Sequence, residues 1–341
     1  MRLLAPSFVL VSLSLLTGCR EKPPAAPGTP SLSTIPVEEL SVAEAQRRLA
    51  SGGLTARALT QAYLDRIAAI DVAGPALHAV IELNPDALRD ADALDAERKA
   101  GKLRGPLHGI PVLLKDNIDV AGMVTSAGSL ALADNRVATD AFLVARLRDA
   151  GAVILGKTNL SEWANFRSTH SVSGWSSRGG QTKNPYVLDR NPCGSSSGTG
   201  SAIAASLAVV GVGTETDGSI ICPAAVNGLV GLKPTVGLIS RGGIIPISAS
   251  QDTAGPMGRT VADVAALLGA LAGVDERDPA GAAAAGKIAV DYSAGLKPDA
   301  LRGKRLGVLR QAMDYLPVVD EAAERGFAAM RAAGAELIDV K

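Results

Sequence analysis

Apolar positions along the chain change their period from segment to segment, and those changes mark its elements. In residues 41–71, SVAEAQRRLASGGLTARALTQAYLDRIAAID, apolar residues recur at helical spacing and break at Gly52 and Gly53. Ser41 with Glu44 forms a capping box and Thr55 offers a second N-cap, so two helices are predicted. HAVIEL reads as a strand and NPDALRDADALDAERKAGK as a helix with a polar face. GIPVLLKDNID starts as a buried strand and runs into polar residues, and AFLVARLRDAGAVILGKTN gives helix, turn and strand. This alternation predicts an α/β domain. Residues 275–300, rich in Ala, Gly, Asp and Pro, predict an excursion over the surface. KRLGVLR and AELIDVK then resume strand periodicity around one more helix.

One stretch breaks the pattern. GTETDGSI, residues 213–220, lies between the apolar runs AIAASLAVVGV and ICPAAVNGLVGL. Polar groups removed from water cost free energy unless each is paired, so the segment is either a tight turn or a site.

The N-terminus follows a different logic. MRLLAPSFVLVSLSLLTGC joins the basic Arg2 to an apolar stretch too short to span a membrane, then to small residues before Cys19. Residues 1–19 are therefore expected to be an export signal whose last four residues, LTGC, resemble the lipobox of bacterial lipoproteins, with Cys19 lipidated. Residues 20–36 read as a flexible proline-rich tether, and residues 37–341 as the folded domain. Arg20 after the cysteine points to an outer-membrane anchor facing the periplasm. Lys plus Arg equals Asp plus Glu at 34 each, which leaves no electrostatic argument for a nucleic-acid partner. Cys193 and Cys222 are too few for a disulfide scaffold. Export would permit a bond between them, and free buried thiols are the expectation.

Two motifs mislead. GAVILGKT (151–158) matches the phosphate-binding pattern GxxxxGK[ST], whose middle residues must curl their N–H groups around a phosphate. Here Ala152, Val153, Ile154 and Leu155 form an apolar run that reads as a strand, and Lys157 as a strand-end lysine. GSSSG (194–198) matches a nucleophile elbow centred on Ser196, but that elbow follows a strand and needs a later histidine. The turn DRNPC precedes it, and His78, His108 and His170 all come earlier. A serine esterase centred on Ser196 is a weak alternative. No His, Cys or carboxylate cluster has metal-ligand spacing, so neither metal nor cofactor is implied.

Three separated segments combine: LHGIPVLLKDNI with Lys115, NPCGSSSGTG with Ser195, and GTETDGSIICPAA with Ser219. Together with KTNLSEWANF and VGLKPTVGLISR they resemble the amidase signature family, whose serine-rich and nucleophile motifs have the forms GGSSGG and GTDTGGS. Ser195 and Ser219 stand 24 residues apart (219 − 195), the family's register. The resemblance runs from about Leu40 to the end and is weakest after Gly273. It implies a mixed central β-sheet covered by helices on both faces. Family members continue well past this length, so a domain incomplete at its C-terminus is expected.

The implied activity is cofactor-free hydrolysis of carboxamides to carboxylate and ammonia through a Ser–Ser–Lys triad and an acyl-enzyme. Ser219 would be the nucleophile, Ser195 the proton relay behind a cis Gly194–Ser195 peptide, and Lys115 the base. A lysine serves as base only when neutral. Exposed lysines titrate near ~10.4, and burial of the kind the IPVLL run would provide lowers that. The backbone N–H groups of Thr216, Asp217, Gly218 and Ser219 would stabilise the oxyanion.

Asp217 stands where the wider family has glycine, either orienting the loop or touching substrate. Ser197 and Thr199 also fall where glycine is commoner. SEWANFRS, SGWSSRGGQTKNPY and GIIPISASQDTAGPM are most similar to the branch of the family that acts on C-terminal amides of peptides. A small amide or amidated peptide is the implied substrate. The alternative from another class is an inactive, shortened relative serving as an envelope lipoprotein with a binding or structural role. A relative that delivers ammonia to a charged tRNA is set aside, because an exported chain would not meet that partner.

Overall fold

The runs without alternation become the middle of a sheet. In a computed structural model of the chain, residues 34–289 and 291–341 are described. The expected signal peptide, Cys19 and residues 20–33 of the tether lie outside the described residues. In chain order the elements are α1 (Val42–Ala50), α2 (Ala56–Arg66), β1 (Val80–Leu83), α3 (Ala87–Lys99), β2 (Pro111–Lys115), α4 (Phe142–Asp149) and β3 (Val153–Thr158). A short hairpin follows, β4 (Trp175–Ser176) and β5 (Gly180–Gln181), then α5 (Ser197–Ala204), β6 (Val210–Glu215), α6 (Ile221–Val226), β7 (Val230–Gly231), β8 (Thr253–Gly258) and α7 (Val261–Leu271). The last unit is β9 (Arg305–Leu309), α8 (Pro317–Ala332) and β10 (Glu336–Val340).

Both predicted N-caps form, but the capping box does not close, because the Glu44 carboxylate pairs with Arg47 and Arg48 and not with Ser41 N. Ser41 Oγ accepts from Glu44 N, and Thr55 Oγ1 accepts from Ala58 N. Six strands make the central sheet in the order β1–β3–β2–β6–β8–β7. β3, β2 and β6 run parallel, while β1, β8 and β7 pair antiparallel at the edges, so the sheet is mixed. Every residue of β2, β3 and β6 is buried, which is why these strands read as continuous apolar runs. Helices flank the sheet: α5 lies across its centre, α7 packs on β6, β7 and β8, and α3 on β3.

The parallel strands point the same way, so their C-terminal ends gather the polar residues that follow each apolar run. Open α/β sheets bind ligands at this end. β9 and β10 form a separate parallel pair around α8, a helix with no fully buried residue. Among the described residues no helix is long and apolar enough to cross a membrane.

Candidate active site

β2 ends on Lys115, and successive residues at a strand end take opposite directions. Lys115 is fully buried. Its Nζ lies 2.7 Å from Ser195 Oγ and donates to Thr214 O at 3.1 Å, with Thr214 Oγ1 at 2.9 Å. Burial lowers its pKa from 10.5 to about 7, against the opposing pull of Glu215 and Asp252. Asp116 goes the other way. Its carboxylate meets Lys157 Nζ at 3.2 Å and Arg178 at 3.3 Å, and accepts from Ser126 Oγ. Lys115 is therefore not paired with its neighbour. Lys157, the second-last residue of β3, is a fully buried ion-pair partner, its pKa lowered by burial.

The serine-rich segment enters α5 pressed against two strands. The Gly194–Ser195 peptide is cis. A Cβ on Gly198 would stand 2.3 Å from Ala79 O and 2.4 Å from Asn159 O, and one on Gly213 would stand 2.7 Å from Ser196 Oγ. Glycine at these two positions lets the segment touch the β-layer. The two departures from the family pattern are accommodated, because both extra hydroxyls find partners. Ser197 Oγ donates to Cys193 O at 2.6 Å, and Thr199 Oγ1 pairs with Thr158 Oγ1 at 2.8 Å.

Ser196, the centre of the esterase alternative, is fully buried. It donates to Thr214 O at 3.1 Å and accepts from Thr214 N at 3.2 Å. No histidine is bonded to it; His108 is buried elsewhere, with Nε2 2.9 Å from Leu94 O. Ser196 clamps the serine-rich segment to β6, and the elbow reading is discarded.

GTETDGSI is both turn and site. Glu215, the last residue of β6, folds its carboxylate back under the turn and accepts from Gly218 N (2.9 Å), Ile220 N (2.6 Å) and Ile221 N (3.0 Å). Sequence reading passes over this residue, although a carboxylate directly after VVGVG signals that it must find donors. One expectation is corrected here. Gly218 N–H is taken by Glu215, so only the N–H groups of Thr216, Asp217 and Ser219 donate to no protein group among the described residues. Asp217 is exposed and bonds to nothing described, so it does not orient the loop; Glu215 does. Ser219 is 9% exposed, and its carbonyl accepts from Ser196 N at 3.0 Å, which ties the two serine segments together.

A second tie overturns the expectation of free thiols. Cys193 and Cys222 form a disulfide with Cα atoms 5.9 Å apart. The bond joins the residue before Gly194 to α6, just after Ser219. Twenty-nine residues separate the cysteines in sequence, and only the fold brings them within reach.

A cavity of about 290 Å³ lies at the strand ends; Lys115, Ser195 and Ser219 do not line it, and it meets Lys115 through Thr214, whose two oxygens bond the Lys115 amine. Asn117 and Thr214–Thr216 border it on the site's side, Ile244, Ile245 and Ile247 form an apolar wall, and Arg241 with Asp278 closes one edge. Asp252 ties wall to turn. It accepts from Thr216 Oγ1 at 2.6 Å and from Ile247 N and Ser248 N at 2.7 and 2.8 Å. No group of His, Cys, Asp or Glu among the described residues could hold a metal ion.

A family model described as Amidase matches residues 58–341. This chain belongs to the amidase family. Among solved structures, the native peptide amidase of Stenotrophomonas maltophilia is 61% identical, with a TM-score of 0.85 over 90% of this chain and 63% of its own. A peptide amidase has also been solved with the competitive inhibitor chymostatin (60% identical, TM-score 0.87, over 90% of this chain and 63% of its own). Among curated proteins, a probable amidase of Arabidopsis thaliana is 48% identical over 288 residues, 83% of this chain and 56% of that one. The amidase chain spans about half the length of the curated relatives it matches.

Proposed function

We propose that this amidase hydrolyses carboxamides, with the C-terminal amide of a peptide as substrate, using Ser219, Ser195 and Lys115. The observation that carries the reading is the buried Lys115 amine 2.7 Å from the Ser195 hydroxyl. With a pKa of about 7, an appreciable fraction of the amine is neutral at neutral pH. A neutral amine has two N–H groups and one lone pair. Thr214 O and Thr214 Oγ1 accept the two N–H groups, and the lone pair is left for the Ser195 O–H.

In this reading Ser219 Oγ attacks the carboxamide carbon while Ser195 takes its proton and passes its own to Lys115. The N–H groups of Thr216, Asp217 and Ser219 are available to the oxyanion, where one such donor is typically worth about 3 kcal/mol. The proton returns through Ser195 to the departing ammonia, and water then hydrolyses the acyl-enzyme by the same route. Two things support a peptide as the acyl part: 60–61% identity to solved peptide amidases, and the apolar wall of Ile244, Ile245 and Ile247 beside the site. The N-terminal sequence supports export and a lipid anchor on Cys19.

The test is ammonia release from a C-terminally amidated dipeptide by the full chain and by Ser219→Ala. Release by the parent and none by the variant is expected. A folded parent that releases no ammonia from any amidated peptide overturns the reading.

A further inference from the structure

Among the described residues, seven buried side-chain polar atoms lack a hydrogen-bond partner, and Asn117 Oδ1 is one of them. Native structures rarely leave such an atom orphaned, and each case calls for an explanation. Of the seven, only Asn117 belongs to a residue that lines the cavity beside β6. It also borders the small apolar recess against Trp163 and Phe166. Asn117 is 4% exposed and its side-chain direction is set, because Nδ2 donates to Thr214 Oγ1 at 3.0 Å. That same Thr214 Oγ1 lies 2.9 Å from Lys115 Nζ. The backbone holds the residue as well, since Asn117 O accepts from Ile245 N at 2.9 Å.

A fixed amide group thus sits one hydroxyl away from the amine that would return the proton to the leaving group. Its remaining oxygen is an acceptor only, so it calls for an N–H. We propose that Asn117 Oδ1 accepts a hydrogen bond from the NH₂ of the substrate's primary carboxamide, and so makes the site selective for primary amides over esters. The inference rests on the hydrolase reading above and adds to it the recognition of the leaving group. Holding one N–H orients the nitrogen so that its lone pair is presented to the Ser195–Lys115 relay as the tetrahedral intermediate forms. An ester oxygen has no proton to offer and would leave Asn117 unpaired. Sites that hydrogen-bond a substrate N–H discriminate strongly against analogues lacking it, for this reason.

The experiment compares kcat/KM for the primary amide and the methyl ester of one N-acetylated dipeptide in the full chain. Parent, Asn117→Ala and Asn117→Asp are measured, with folding checked by thermal unfolding. Asn117→Ala is expected to lose at least tenfold more on the amide than on the ester. Asn117→Asp, which keeps an acceptor oxygen, is expected to hold the amide-to-ester ratio within about threefold of the parent. Equal losses on both substrates in Asn117→Ala overturn the proposal, because a residue acting only through Thr214 and Lys115 would slow both reactions alike. If Asn117→Ala does not fold, a collapse of the ratio in Asn117→Asp overturns it and a preserved ratio supports it. A parent that hydrolyses neither substrate sinks the hydrolase reading and this proposal with it.

Discussion

Lys115 and Ser195 are 80 residues apart in the chain and meet at 2.7 Å, both fully buried. Lys115 finds no carboxylate at its Nζ; its three polar neighbours are two oxygens of Thr214 and the Ser195 hydroxyl. Desolvation therefore dominates, and the amine titrates at about 7.

The proposed mechanism ties activity to that titration. kcat/KM for amide hydrolysis is expected to rise with pH through an apparent pKa near 7, because the protonated amine cannot accept the Ser195 proton. Lys115→Met is expected to lose roughly 10²–10⁴-fold. Lys115→Arg is expected to stay inactive across the range, since a guanidinium remains charged. A pH–rate profile measured on the full chain checks all three. An acid limb far from 7 would mean that another group controls the reaction.

The same shift acts on stability with a definite sign. The folded pKa is depressed below the unfolded value, so between about 7 and 10.5 the folded chain binds fewer protons at this site than the unfolded chain. The site's contribution to stability rises with pH across that window, and its penalty is complete below pH 7. Lys115→Met removes the titration. The stability of the variant relative to the parent should be greater at pH 6.5 than at pH 9.5 by about 3 kcal/mol, from ~1.4 kcal/mol per pKa unit. Urea unfolding at the two pH values measures it.

Glu215 organises the turn before Ser219 by accepting three backbone N–H groups. Glu215→Gln leaves one acceptor oxygen and turns an NH₂ toward a donor. A stability loss of about 1–3 kcal/mol is expected. Activity should fall as well, because the N–H groups of Thr216, Asp217 and Ser219 depend on the same turn. Thermal unfolding and ammonia release read the two effects separately.

The Cys193–Cys222 bond braces the serine-rich segment against the helix after Ser219. Removing it in Cys193→Ser/Cys222→Ser, or reducing it with dithiothreitol, is expected to cost about 2–4 kcal/mol of stability. Amide hydrolysis should fall with it. A dithiothreitol effect of equal size on the double variant would show that the reductant acts elsewhere.

Asn117 and Glu215 mark the limits of reading the chain in one dimension. Both stand beside residues the motifs single out, and neither can be given a task until its partners are known. A carboxylate after VVGVG announces a need for donors, yet the three N–H groups that meet it belong to a turn whose path the sequence does not state. The pairing of Cys193 with Cys222 escapes the sequence for the same reason, since a bond depends on a distance across the fold and not on spacing.

Local physics is legible from the sequence. Helical periodicity and side-chain caps place α1 and α2, uninterrupted apolar runs place β2, β3 and β6, and three motifs in order identify Lys115, Ser195 and Ser219 as candidates. These depend on nearest neighbours and on burial averaged along a segment. Only the tertiary structure decided that Lys115 faces Ser195 while Asp116 turns to Lys157 and Arg178. It also decided that Ser196 is a clamp, that Gly218 N–H goes to Glu215, and that the cysteines are joined. Each of these is a choice among partners distant in sequence, and packing makes that choice because a buried polar group must take whichever partner the fold sets within hydrogen-bonding distance.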